Sequence, residues 1–113
     1  MAKLIQNIGS ESIQKHTILF GDYEIILLLR FYSRNKMWLM DVNYRTTAFY
    51  GVKLSVGVLH MLSKNLPFDF IVSDLSGNGI DPFKSTDFSN GRCQLYLLEA
   101  DDMQDIRNVE VQE

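Results

Sequence analysis

The feature that most constrains the fold of this chain is a stretch from residue 23 to residue 32 that is apolar on both sides. With the two-residue period of a β-strand, one face carries Tyr23, Ile25, Leu27, Leu29 and Phe31. The opposite face carries Glu24, Ile26, Leu28, Arg30 and Tyr32. An antiparallel strand with one wet face should alternate more cleanly between apolar and polar residues. The pattern therefore predicts a central strand, or a strand whose second face is covered by another sheet or another subunit.

Further strand patterns, separated by turn residues, surround this stretch. A polar link at 33–36 and a second apolar pattern at 37–44 predict a β-hairpin. One side of the second strand carries Trp38, Met40, Val42 and Tyr44, and the other side carries Met37, Leu39, Asp41 and Asn43. A third strand is expected from about 48 to 56, with one face made by Tyr50, Val52, Leu54 and Val56. Other strands are expected at 16–20, 68–73 and 92–99.

This spacing predicts a mainly β fold, either a small antiparallel β-barrel or a sandwich, with a long Gly/Asp-rich loop at 74–91. Residues 58–65 fit one short helix or an irregular loop, because a helix would have to end before Pro67. The length of 113 residues fits one domain. We expect a single β domain over 1–113, with a core at about 16–100 and terminal arms at 1–15 and 101–113. The first arm either adds an edge strand or lies against a neighbour.

Composition and charge exclude several classes of protein. The chain is 46% hydrophobic, which is enough for a packed core, and its net charge is −3 with scattered basic residues. A nucleic-acid binder would show a basic surplus or stripe. No apolar run is long enough for a signal peptide or a membrane span, so we expect synthesis in the cytoplasm and no membrane association. The acidic C-terminus predicts a solvated tail or a segment that orders on a basic partner.

The residues that most often carry catalysis or metal binding are sparse. His16 and His60 each lack a second histidine at ligand spacing. Cys93 is the single cysteine, which excludes an internal disulfide, and its place in the apolar phase of a strand predicts a buried, inert thiol. The sequence contains neither a Gly-x-Ser-x-Gly elbow nor a phosphate loop. We therefore predict no catalytic residues and no cofactor, and an enzyme is the weakest of the functional readings.

The most distinctive stretch runs from 74 to 82 and alternates oxygen-bearing side chains with glycines, as calcium loops do. An EF-hand loop would need a glutamate where this chain has Ser85. A tight turn explains the same residues, because aspartate and asparagine cap backbone amides and glycines accept positive φ. We favour the turn and keep a cation site as the alternative. The residues of this structural loop are Asp74, Gly77, Asn78, Gly79, Asp81 and Pro82.

A family resemblance emerges from the order of several short motifs between residue 16 and about residue 100. These are Tyr23-x-Ile25, Leu29-Arg30-Phe31, Trp38-x-x-Asp41, Gly51-Val52-Lys53-Leu54, Gly57-Val58, Phe70-Ile71-Val72, the 74–82 loop, Gly91, and Leu95-Tyr96-Leu97 before Glu99. In this order they resemble the baseplate plug family of contractile-tailed phages, which is named from a cyanophage baseplate. Two positions depart from the family pattern: Lys53 stands where proline is common, and Asn78 where aspartate is common.

The resemblance implies a structural component at the central axis of a virion tail baseplate, made in the host cytoplasm and without catalytic residues. Its implied partners are the hub, the spike and the tail-tube initiator, in an oligomeric particle. We therefore expect the hairpin to form an inter-subunit contact, with the candidate residues Ile26, Leu28, Arg30, Tyr32, Trp38 and Asp41. The alternative is a monomeric β-barrel module that binds a sugar or another small ligand in an aromatic-lined pocket.

Overall fold

The computed structural model describes residues 2–61 and 66–99, and these fold into two antiparallel sheets that enclose a shared core. The strands are β1 (Lys3–Leu4), β2 (Ile13–Phe20), β3 (Tyr23–Tyr32), β4 (Met37–Tyr44), β5 (Thr47–Lys53), β6 (Phe68–Asp74) and β7 (Cys93–Glu99). One sheet has the order β2-β3-β4-β5 and the other has the order β1-β7-β6.

The mainly β prediction is confirmed, and of its two forms the structure is a sandwich, because the sheets do not close into a barrel. The described residues contain no helix. Residues 58–59 have no regular structure and 60–61 lie in a turn, whereas the rest of the ambiguous segment, 62–65, lies outside the described residues, as does the tail after Asp102. Within the described part of the chain, no helix has the length and apolar character needed to cross a bilayer.

The hairpin of β3 and β4 forms as predicted, and β3 is a central strand with β2 on one side and β4 on the other. The strand predicted at 16–20 corresponds to β2, which is longer than expected because it begins at Ile13 and not at His16. Gly21, in the left-handed region with φ 61°, makes the tight turn from β2 into β3 possible. The N-terminal arm adds an edge strand, in which Lys3 pairs with Leu97 of β7.

The strand β5 departs from the predicted phase. Its pairing with β4 shifts between Met40 and Val42, so that two residues, Tyr50 and Gly51, stand opposite Asp41. This is a β-bulge, and Gly51 adopts φ 69°, which a residue with a side chain would rarely accept. Tyr50 is 70% exposed, and the prediction that it shares one face of the strand with Val52 is wrong. Strict alternation failed here because a bulge inserts one residue into the count.

The core lies between the sheets and is built by the inner faces of their central strands. Fully buried side chains come from the four-stranded sheet (Ile25, Leu27, Leu29, Trp38, Met40 and Val42) and from the three-stranded sheet (Phe68, Phe70, Val72, Leu95 and Leu97). Burial of each large apolar side chain stabilises the fold by about 1.5–3 kcal/mol relative to exposure. The inner faces therefore hold the sandwich together, and the outer faces are left for other roles.

Candidate assembly surface

The outer face of the four-stranded sheet carries an apolar patch on the side away from the core. Register places Leu28 of β3 beside Lys15 of β2 and Asp41 of β4, so these three side chains share that face. The rows of the outer face are Ile13, Lys15, Thr17 and Leu19 in β2, Glu24, Ile26, Leu28, Arg30 and Tyr32 in β3, and Met37, Leu39, Asp41 and Asn43 in β4.

The apolar members of the outer face remain accessible to solvent. Ile26, Leu28 and Leu39 are half-buried by their neighbours, and no second layer covers them among the described residues. Ile13 and Leu19, at the two ends of β2, are each 66% exposed. Single exposed apolar residues are ordinary on a protein surface, but a contiguous patch is typical of an interaction site.

An ion pair lies at the centre of the outer face. The Arg30 guanidinium donates to the Asp41 carboxylate, and this hydrogen bond raises the pKa of Arg30. The other Asp41 oxygen accepts the N–H of Gly51 at 2.8 Å. Asp41 thus holds the β5 bulge in place, and Arg30 neutralises the charge of Asp41. Both carboxylate oxygens of Asp41 are therefore paired.

Trp38 does not belong to this face, although the sequence grouped it with the candidate interface residues. It is 0% exposed and contacts the rings of Phe31 and Phe88 at 5.4 and 5.3 Å between centroids. Its indole N–H donates to the carbonyl of Lys84 at 3.0 Å. Trp38 and Asp41 are three residues apart in one strand, so they point to opposite faces. The other five candidates, Ile26, Leu28, Arg30, Tyr32 and Asp41, do share the outer face.

The 74–92 loop, which joins β6 to β7, is held at its start by Asp74. One carboxylate oxygen accepts the N–H of Ser76 at 2.9 Å and its hydroxyl at 2.6 Å. The second oxygen accepts the N–H of Ile80 at 2.9 Å. Gly77 and Gly79 both adopt positive φ, at 79° and 66°. Asn78 takes no part in a hydrogen bond among the described residues, and the second Asx cap is made instead by Asn90, which accepts the N–H of Arg92 at 2.8 Å.

Arg92 lies at the centre of this loop. Its guanidinium forms two hydrogen bonds to Asp87, at 3.1 and 3.0 Å, and a salt bridge to Asp74 at 3.2 Å. It also donates to the carbonyls of Ile80 and Asp81, at 2.9 and 3.1 Å. The cation that this acidic loop needs is therefore supplied by the chain itself. Among the described residues, no three His, Cys, Asp or Glu side chains cluster as metal ligands would.

The carboxylates of the loop are stabilised in their charged form. Hydrogen bonds from Ser76 and Ile80, with the charge of Arg92, lower the pKa of Asp74 to about 2. Burial opposes ionisation of Asp87, but the hydrogen bonds from Arg92, Phe83 and Lys84 outweigh it and lower the pKa of Asp87. Both groups therefore stabilise the loop most strongly when they are ionised.

The two histidines and the cysteine have structural surroundings. The Nε2 atom of His60 accepts the N–H of Ser55 at 2.9 Å, while Nδ1 lies 2.8 Å from the carbonyl oxygen of Phe70. Since a carbonyl only accepts, the His60 proton is on Nδ1 and the ring is neutral. His16 lies within β2, and burial lowers its pKa. Cys93 is buried, and desolvation raises the pKa of its thiol to about 11, which makes it a poor nucleophile at neutral pH.

Two cavities open to the surface of the described part of the chain. One, of about 270 Å³, lies between residues 4–8 and the start of β7, and its only aromatic lining residue is Phe88. The other, of about 380 Å³, is a cleft lined by the rings of Phe31 and Phe83 and by Lys36 and Lys84. The second cleft is the one of these two that is lined by more than one aromatic ring.

Sequence reasoning missed Arg92 and Asp87, the two residues that organise the loop. The available signal was charge balance: Arg92 is the only basic residue between Lys84 and the end of β7, in a loop with several aspartates. No family model matches the chain, and no curated protein matches it significantly. The resemblance to baseplate plugs therefore depends on the motifs quoted above.

Proposed function

We propose that this protein is a structural subunit of a contractile-tail baseplate, a plug at the central axis that assembles with the hub, the spike and the tail-tube initiator. The single observation that carries the proposal is the apolar outer face of the four-stranded sheet. The order of the sequence motifs supplies the identity of the particle. The proposal places the protein in the virion.

The outer face has the properties that an assembly contact requires. Ile26, Leu28 and Leu39 form its apolar part, and the charges of the neighbouring Arg30–Asp41 pair already compensate each other. Little desolvation of free charge is needed when such a surface is covered. The backbone of this face is already ordered in regular strands, so no loop has to be ordered when it is covered.

The polar clusters on the described residues support a structural role in a second way. Arg92, Asp74 and Asp87 bind one another and the loop backbone. Asp69 accepts the amides of Met61 and Phe70 at 2.7 and 2.6 Å. These polar groups hold loops against the sheets. Their hydrogen bonds and ion pairs are thus explained by a structural role, with no catalytic role needed.

The test replaces Leu39 with aspartate. Leu39 pairs with Arg30 on one side and Lys53 on the other, so a carboxylate there meets two cations and the isolated fold should survive. The matched control is Leu75→Asp, because Leu75 is 62% exposed in the 74–92 loop, away from the outer face. Each tagged protein is co-expressed with the products of the neighbouring open reading frames and purified by its tag.

We expect the wild type and Leu75→Asp to elute in a large complex, and Leu39→Asp to elute alone as a folded protein. Retention of Leu39→Asp in the complex would exclude the outer face as the contact. If the wild type itself never joins a complex with the neighbouring gene products, the baseplate proposal fails.

The alternative function is a free binding module, and the cleft between Phe31 and Phe83 is the feature that favours it. Its rings and the hydroxyls of Ser33, Ser85 and Thr86 could contact a sugar. The indole N–H of Trp38 donates to Lys84 beside this cleft, so its NMR resonance reports on occupancy. A shift of that resonance on titration with monosaccharides would support the binding module.

A further inference from the structure

The two sheets end in four edge strands, and three of those edges are obstructed within the described residues. Along β6 the chain at 56–60 covers the edge: Val56 bridges Val72, and the N–H of Gly57 donates to the carbonyl of Val72 at 3.0 Å. The edge of β5 is broken by the bulge at Gly51. The strand β1 has only two residues. Proteins obstruct strand edges in these ways to prevent pairing with other chains.

The edge of β2 carries none of these obstructions. It runs for eight residues from Ile13 to Phe20, in unbroken register with β3, and contains neither proline nor glycine. On its other side, no strand pairs with it among the described residues. Of the four edge strands, β2 is therefore the one whose edge is both long and unobstructed among the described residues.

Hydrogen-bond alternation shows which backbone groups of β2 face outward. The N–H of Phe31 donates to the carbonyl of Ser12 at 2.8 Å, so even-numbered residues of this segment exchange hydrogen bonds with β3. The odd-numbered residues then direct their N–H and C=O groups to the open edge. These residues are Ile13, Lys15, Thr17 and Leu19.

We propose that β2 pairs with β2 of a second copy of this chain, antiparallel about a two-fold axis. The two four-stranded sheets then form one continuous sheet across the dimer. This inference is independent of the baseplate proposal, because it concerns the edge of the sheet and not its outer face.

The side chains of β2 select a second copy and fix the register. With His16 at the axis, Ile13 lies opposite Leu19 of the partner subunit, and the same contact repeats on the other side of the axis. These two side chains are each 66% exposed in the single chain. Lys15 lies opposite Thr17 of the partner subunit, so like charges do not meet. An axis at Lys15 would place two lysines opposite each other, and an axis at Thr17 would leave Ile13 opposite a glycine.

The backbone permits this register. Outward-facing odd residues must lie opposite odd residues, and an axis at His16 meets this condition, as would one at Lys15 or Thr17, so the choice between them is made by the side chains. The pairing forms about eight backbone hydrogen bonds across the axis. An edge contact buries less than the roughly 800 Å² per partner of a standard interface. The dimer should therefore be in equilibrium with the monomer and should form as concentration rises.

The first test uses proline to remove one outward N–H. Thr17→Pro deletes an amide that faces the open edge and leaves the β2–β3 hydrogen bonds intact. Ala48→Pro is the matched control, because Ala48 lies between the residues of β5 that bond to β4 and its amide faces the other edge of the same sheet. Sedimentation velocity of the full chain across a wide range of concentrations gives the mass, and circular dichroism gives the folded state.

We expect the wild type and Ala48→Pro to approach twice the monomer mass, and folded Thr17→Pro to remain a monomer. A wild type that is monomeric at every concentration overturns the proposal. So does a folded Thr17→Pro that dimerises as well as the wild type.

The second test does not depend on a proline variant that folds. At the axis, position 16 faces itself in a non-hydrogen-bonded pair with Cα atoms about 4.5 Å apart, which a disulfide can span. His16→Cys should form a disulfide-linked dimer under mild oxidation. In the control Leu19→Cys, the two thiols are six residues apart along the strand, about 20 Å, and should not crosslink. The native Cys93 is buried and does not compete. Failure of His16→Cys to crosslink, or efficient crosslinking of Leu19→Cys, contradicts the register.

Discussion

In the four-stranded sheet, the inner side chains along the middle of β3 and β4 are apolar and fully buried, whereas the 74–92 loop is held by carboxylates around one guanidinium. Leu27 and Leu29 have no polar requirement and are stabilised by contact alone. Asp87 is 2% exposed and depends on Arg92 for its counter-charge. The sheet is stabilised by many small, interchangeable contributions, and the loop by a few that depend on one another.

This difference has consequences for how each region responds to change. Shortening an apolar side chain in the sheet removes stability in proportion to the volume lost. Removing the guanidinium from the loop network leaves buried carboxylates without a counter-charge, which costs more than the lost contact itself. The loop should also respond to pH, and the inner face of the sheet should not.

The largest expected effect is that of Arg92→Met. The variant keeps the aliphatic bulk but leaves Asp74 and Asp87 without their cation, and we expect a loss of about 3–5 kcal/mol in the free energy of unfolding. Urea denaturation followed by circular dichroism measures it. Lys53→Met is the control, because the Lys53–Asp81 pair is 3.8 Å long and exposed, and exposed pairs contribute about 0–1 kcal/mol. Equal losses in the two variants would show that the loop network has no special weight.

A smaller effect is expected from acid. The pKa of Asp74 is about 2 in the folded protein and that of Asp87 is also lowered, below the usual 3.8 of the unfolded chain. The stability from these groups is therefore fully present above about pH 4 and is lost as the pH falls toward 2. Asp69 acts in the opposite direction, because burial raises its pKa and protonation relieves that cost.

Urea unfolding at a series of pH values distinguishes the contribution of the 74–92 loop from that of the four-stranded sheet. Asp74→Asn should flatten the fall in stability below pH 4. Leu27→Ala, in the sheet, should lower stability by about 2–5 kcal/mol at every pH and keep the wild-type slope. A wild-type slope in Asp74→Asn would mean that Asp74 does not carry the acid response.

The smallest expected effect is that of calcium. Arg92 already binds Asp74 and Asp87, so the loop does not need a metal ion to balance its charge. We expect the same melting temperature with added calcium and with a chelator. A ligand that binds only the folded state would raise that temperature, so a clear rise with calcium would show that the loop takes a cation as well.

Much of the fold could be predicted because strand periodicity is local. The apolar alternation in β3 and β4, the hairpin between them and the burial of Cys93 all follow from residues close in sequence. The phase of β5 could not be predicted, because the bulge depends on Asp41 of the neighbouring strand binding the amide of Gly51. The role of Trp38 was similarly hidden, since its partner Lys84 is far away along the chain.

The candidate surface was located in part by the sequence. Two apolar faces on one strand predicted that Ile26 and Leu28 belong to a central strand or to a face covered by another sheet or subunit. Which strand edge would remain open could not be read in the same way. The edges of β5 and β6 are obstructed by a bulge and by the chain at 56–60, and both are products of the assembled sandwich.

The sequence by itself determined the class of fold, the central hairpin and the surplus of apolar surface, because each depends on the period of neighbouring side chains. Only the tertiary structure decided that Arg92 supplies the cation of the 74–92 loop and that the edge of β2 is unpaired among the described residues. Those outcomes depend on contacts between segments that are far apart in the sequence, and the pattern of neighbouring residues does not reveal which distant segments will meet.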